Sequence, residues 1–150
     1  MSPLFAFMHH VAAFALAASL AVEFVLSRGE LTLASARKLR IADLVYGSSA
    51  GAVLAIGFLR VVYFEKGATY YFHSIPFIVK LSLFVIIGLV SIYPTIEFQS
   101  WRKTLKQDRI PIVAARKMKS IRTMIHLELA GVVLIILCAA LMAKGVGHVA

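Results

Sequence analysis

Residues 74–98, SIPFIVKLSLFVIIGLVSIYPTIEF, decide how this chain folds. Lys80 and Glu97 are the only acidic or basic residues in the stretch. Wound as an α-helix at about 1.5 Å per residue, it is roughly 38 Å long, enough to cross a hydrocarbon layer of about 30 Å. Three further stretches have the same character, at residues 3–27, 41–64 and 121–143, and little of the chain remains outside them. Composition points the same way. With 61% hydrophobic and 15% charged residues, the chain is too apolar for a soluble domain of its length. The expected fold is all-α: an integral membrane, antiparallel four-helix bundle forming one domain over residues 1–150, with the lipid bilayer as its surroundings. The first stretch reads as a retained helix rather than a cleaved signal, because no Lys or Arg precedes it and its apolar run is long.

The formal charge of +9 is unevenly distributed. Arg28, Arg37, Lys38 and Arg40 lie between the first two spans, and Arg102, Lys103, Lys106, Arg109, Arg116, Lys117 and Lys119 between the last two. Both connections fall on one side, which the positive-inside rule makes cytoplasmic, so both termini face outward. The basic excess is read as a topology signal and a contact for anionic lipid headgroups, and no nucleic-acid partner is expected. Tyr70, Tyr71 and Phe72, in the short outer connection, suit the membrane interface. In the inner connection Pro111 suits the first turn of a helix, one that runs through Ile112, Ala115, Lys119 and Arg122 into the fourth span. Cys138, the only cysteine, is read as a packing residue. Small residues recur every fourth position at Ala13, Ala17, Ala21 and at Gly47, Gly51, Ala55, the spacing that lets membrane helices approach closely. Pro94 is a candidate kink.

Ionisable residues inside spans are costly, so each is a functional candidate. They sort by depth into two layers. His9 and His10 lie roughly 9 to 11 Å below the outer end of the first span. Lys80 is at about the same depth in the third span, with Arg60 slightly nearer the outer end of the second. His73, two helical turns before Lys80, overhangs the same face. A convergence of basic groups calls for an anionic or metallic occupant. Adjacent His9 and His10 point about 100° apart, so one of them faces inward, and which one stays open. The inner layer is acidic, with Glu23, Asp43, Glu97 and Glu128 from four helices and His126 nearby. His126 and Glu128 diverge by about 200° on one helix, so they do not chelate one ion together. The alternatives are ion pairs with Arg28, Arg40, Arg102 or Arg122 that lock the bundle, or a metal site. No Glu-x-x-His pair of the carboxylate-bridged metal kind is present.

Several segments carry a resemblance: His9-His10-Val-Ala-Ala-Phe, Ile41-Ala-Asp-Leu-Val-Tyr-Gly, Leu59-Arg-Val-Val-Tyr-Phe-Glu-Lys-Gly67, Leu127-Glu-Leu-Ala and Leu141-Met-Ala-Lys-Gly145. Over nearly the whole chain they resemble a bacterial membrane family catalogued as domain of unknown function 2214, which implies a bacterial inner (plasma) membrane location. More distantly, the plan is similar to the HemJ-type protoporphyrinogen oxidases, small four-helix membrane proteins associated with haem b. The shared elements are a His early in span one, an Arg at the outer end of span two and Lys80-Leu81 early in span three. The aromatic-rich first span of those oxidases is missing.

Three functions remain in view. The first is haem b, or a related anionic porphyrin, in the outer half of the bundle: His9 or His10 ligating iron, Lys80 opposite and Arg60 on the propionates, with oxidoreductase activity as the HemJ resemblance implies. The second is a small transporter or permeation subunit, using the two layers as stations, for which four short helices give enough volume only in a homo-oligomer. The third is a non-catalytic assembly partner. No nucleophile-base pair, phosphate loop, nucleotide fingerprint or thiolate metal motif is present.

Overall fold

The computed structural model describes residues 3–64 and 73–146. The expected aromatic belt of Tyr70, Tyr71 and Phe72 lies outside the described residues. Four long helices form an antiparallel bundle, and all four are long and apolar enough to cross a membrane. They are α1 (Pro3–Arg28), α2 (Leu33–Leu59), α3 (Ile75–Ser100) and α5 (Ala115–Ala143), with a short α4 (Arg102–Lys106) after Trp101. The described residues contain no strand. The most extensive packing is α1 on α2 and α3 on α5. α1 also packs on α5, whereas α2 and α3 form the loosest seam between neighbours.

Helix α2 begins eight residues before the expected span. Thr32 caps it: the Ser35 backbone N–H donates to Thr32 Oγ1 at 3.1 Å, and the Thr32 N–H donates to Ser35 Oγ at 2.8 Å. This reciprocal box satisfies two amides that a helix start leaves open, so Arg37, Lys38 and Arg40 belong to a helix and not to a loop. At its other end α2 passes into a π-helical turn, Arg60–Phe64. Such turns widen the backbone and recur at functional sites.

The expected helix start at Pro111 is corrected. α5 starts at Ala115, after an extended Ala114 with φ −60° and ψ 140°, and Ile112 is fully exposed outside it. Residues 111–114 form no helix, and the extended Ala114 breaks the path from Pro111, which is buried ahead of α5. The basic residues Arg116, Lys117 and Lys119 do extend the span, as the register required.

Burial is concentrated at the end that bears the basic connections. Leu20, Leu39, Phe98, Ile121 and Ile125 are fully buried there, with Trp101 and Leu105 closing the base. Toward the opposite end Phe7, Phe14 and Phe58 are exposed, as lipid-facing side chains of a bundle are. The small-residue stripes do not meet partners as expected. A Cβ added at Gly47 or Gly51 finds nothing within 4 Å, and Ala13 and Ala21 are exposed. Close approach occurs at Gly131, where a Cβ would fall 2.5 Å from Ile87 Cδ1, and at Gly57, where it would fall 3.2 Å from His9 Cε1. The spacing was right for contact but could not say which face of each helix has a neighbour.

A buried carboxyl cluster at the basic end

Glu23 on α1, Asp43 on α2 and Glu128 on α5 converge inside the tightest part of the bundle, exposed by 1%, 3% and 1%. Glu23 stands a little over one turn before the end of α1, Asp43 almost three turns into α2 and Glu128 between three and four turns into α5. Their surroundings differ. Asp43 is fully served from α3: Thr95 Oγ1 donates to Oδ1 at 2.6 Å and Gln99 Nε2 to Oδ2 at 2.9 Å. Glu23 and Glu128 each keep one buried carboxyl oxygen, Oε1, with no hydrogen-bond partner. Tyr46, 4% exposed, interacts through its hydroxyl with Glu128 and with Ser91. Among the described residues no group of three His, Cys, Asp or Glu side chains is arranged to hold a metal ion.

Three of the arginines expected to pair with this layer take uncharged partners instead. Arg28 stacks 4.2 Å above the Phe24 ring, Arg40 Nε donates to Gln99 Oε1 at 3.3 Å, and Arg122 Nε donates to the Ser27 carbonyl at 2.6 Å. Glu97 is apart from the cluster. It takes Lys117 at 2.6 Å and the Trp101 indole N–H at 3.1 Å. His126 is exposed, its ring tilted against Phe24 at 5.9 Å, as its divergence from Glu128 requires. Sequence reasoning missed Tyr46, Thr95 and Gln99. Tyr46 follows Asp43 by three positions, and Thr95 and Gln99 are four apart, spacings that share a helix face.

A cleft of about 410 Å³ at the basic end is bounded by Ser27 and Leu39, each one helical turn beyond Glu23 and Asp43 respectively, and by Arg28 and Arg122.

In the other half of the bundle, His9 is half-buried with its ring against Gly57, one turn before Arg60, which is also half-buried. His10 is exposed, and its Nδ1 lies 2.6 Å from the Ala6 carbonyl. Lys80 is half-buried, its ammonium 5.4 Å from the Phe77 ring centre, and His73 is exposed just ahead of α3.

No curated protein and no solved structure matches the chain. A family model described as "Predicted membrane protein (DUF2214)" matches residues 1–147, nearly the whole chain, and the protein belongs to that family of predicted membrane proteins.

Proposed function

We propose that this protein is a small proton transporter or permeation unit, with Glu23 and Glu128 as the proton-binding station. One observation carries the reading: two carboxyl groups, each 1% exposed, keep an oxygen without a partner in the interior of a membrane-spanning bundle. Uncompensated carboxylates are costly in such surroundings, and a positive species must balance them. With no three ligands arranged for a metal ion among the described residues, a proton fits best. It would enter from the 410 Å³ cleft, passing Arg122 and Ser27, with the Tyr46 hydroxyl as the next oxygen along from Glu128. The excess of Lys and Arg supports an orientation with this cleft in the bacterial cytoplasm and both termini outside.

Vesicles containing the purified protein and an internal pH-sensitive dye, driven by a potassium diffusion potential, should acidify faster than protein-free vesicles. Glu23→Gln with Glu128→Gln should return the rate to the protein-free leak. A parent protein no faster than empty vesicles refutes the reading.

A second reading is favoured by the contact of His9 with Gly57, one turn from Arg60. An imidazole and a guanidinium at one level fit a haem b or related anionic porphyrin. His9 would ligate and Arg60 would meet the propionates, with Lys80 opposite and His73 at the rim. The HemJ resemblance would make such a site an oxidoreductase. Protein expressed with ample haem should then show a Soret band that shifts on reduction and is lost in His9→Ala but kept in His10→Ala. A parent without that band, or a band indifferent to His9→Ala, sinks it.

A further inference from the structure

Two bands of cationic side chains flank the loosest seam of the bundle. Arg37 and Arg40 rise from the first turns of α2, and Arg102 and Lys106 stand opposite on α4. Together with Ile41 and Leu105 they enclose a cleft of about 330 Å³. Two groups anchor its geometry. Arg37 Nη2 donates to Asp108 Oδ1 at 2.5 Å and to the Leu105 carbonyl at 3.2 Å, which ties α2 to the turn after α4. Asp108 holds that turn with a left-handed φ of 52°, a conformation Asp tolerates because its short polar side chain bonds locally. Arg40 Nε rests on Gln99 at 3.3 Å. Four cations thus meet one carboxylate at the rim, and the cleft carries a net positive charge.

What distinguishes this cleft from a solvated basic surface is the wall above it. Helical spacing carries the face of Arg37 and Arg40 up α2 through Leu44, which is 50% exposed, to Gly47 and Gly51. The facing strip of α3 rises through Ile92, also 50% exposed, to Gly88. A Cβ at Gly47, Gly51 or Gly88 would meet nothing within 4 Å. Uncovered apolar surface of α2 and α3 therefore continues from a cationic pocket, at the end of the spans where the hydrocarbon of a bilayer gives way to its headgroups. A soluble phosphate would use the pocket alone. An amphiphile uses both.

We propose that the Arg37–Arg40–Arg102–Lys106 cleft binds the phosphate of an anionic phospholipid, with an acyl chain lying along the uncovered apolar surface of α2 and α3. Guanidinium groups suit the phosphate because they donate paired, charge-assisted hydrogen bonds. The occupant bridges the seam that protein contacts fill least. The cleft touches the carboxyl cluster only through Gln99, which Arg40 shares with Asp43, and not through Glu23 or Glu128, so the lipid and proton readings stand or fall independently.

The test uses the full chain purified in uncharged detergent, titrated with phosphatidylglycerol, phosphatidylcholine or inorganic phosphate. Thermal unfolding and native mass spectrometry are the readouts. Phosphatidylglycerol should raise the unfolding midpoint and remain bound, while phosphatidylcholine and inorganic phosphate leave the midpoint unchanged. Arg102→Gln with Lys106→Gln should demand roughly 30-fold more phosphatidylglycerol, from about a fivefold effect per juxtamembrane charge. Arg102→Lys with Lys106→Arg should bind nearly as the parent does, and so should Arg116→Gln with Lys119→Gln, which removes two charges outside the cleft. Equal shifts with phosphatidylcholine, a shift with inorganic phosphate alone, or equal weakening by the two glutamine pairs would overturn the proposal.

Discussion

Glu23→Met is expected to abolish proton flux and at the same time to make the purified protein more resistant to heat. The two effects have one cause. Glu23 is 1% exposed and one of its carboxyl oxygens has no donor. Burying such a group costs about 1–3 kcal/mol by the measure of protein mutations, and a methionine of similar length removes that cost while filling the same space. The gain should be of that order, read as a higher unfolding midpoint in detergent. Most substitutions at fully buried positions destabilise, so the sign is diagnostic. A gain in stability accompanied by lost flux marks a group retained for what it does. If Glu23→Met instead lowers the midpoint by a comparable amount, Glu23 is holding the bundle together and the proton-binding role assigned to it is wrong. Glu128→Met is a less clean partner experiment, since it also strips the Tyr46 hydroxyl of its carboxyl neighbour.

Much of this architecture is legible in the sequence because a bilayer permits few solutions. Backbone groups in hydrocarbon must be satisfied within their own segment, so an apolar run such as residues 74–98 has to be a helix. Depth along those helices follows from residue count, which grouped Glu23, Asp43, Glu97, His126 and Glu128; of these the structure buries Glu23, Asp43 and Glu128, while Glu97 takes Lys117 and His126 is exposed. Rotation about the helix axes was not legible. Gly47 and Gly51 have the spacing of a contact stripe, yet they look onto open space, while Gly57 and Gly131 take the close contacts. The two adjacent histidines could not be told apart until Gly57 showed where α2 makes room for His9. Partners of long side chains were hidden for a related reason. Arg28, Arg40 and Arg122 sit near carboxylates in sequence depth, but their reach lets them settle on a ring, an amide and a backbone carbonyl. That Thr95 and Gln99 are the side chains that serve Asp43 is set by α3's rotation, and that is decided by packing against α5.

Asp43→Leu is expected to act in the opposite sense to Glu23→Met, although both replace a buried carboxyl group in the same layer. Asp43 is 3% exposed, and both of its oxygens are engaged, one by the Thr95 hydroxyl at 2.6 Å and the other by the Gln99 amide at 2.9 Å. Leucine leaves those two donors pointing into an apolar wall. Each donor stranded in this way costs about 1–3 kcal/mol, so the loss should be roughly 2–5 kcal/mol. The damage reaches further, because Gln99 also accepts from Arg40, and with the Tyr46–Ser91 contact these bonds tie α2 to α3 across the seam where packing contributes least. Asp43→Asn keeps the acceptor oxygen for Thr95 but turns an amide N–H donor toward the Gln99 Nε2 donor, so its stability should fall between those of the parent and the leucine variant. Thermal unfolding of the three proteins in one detergent gives the ordering parent, Asn, Leu. Were Asp43→Leu as stable as the parent, the seam would be held by something other than this network, and the contrast between a partnered and an unpartnered carboxyl group, on which the role of Glu23 rests, would lose its physical basis.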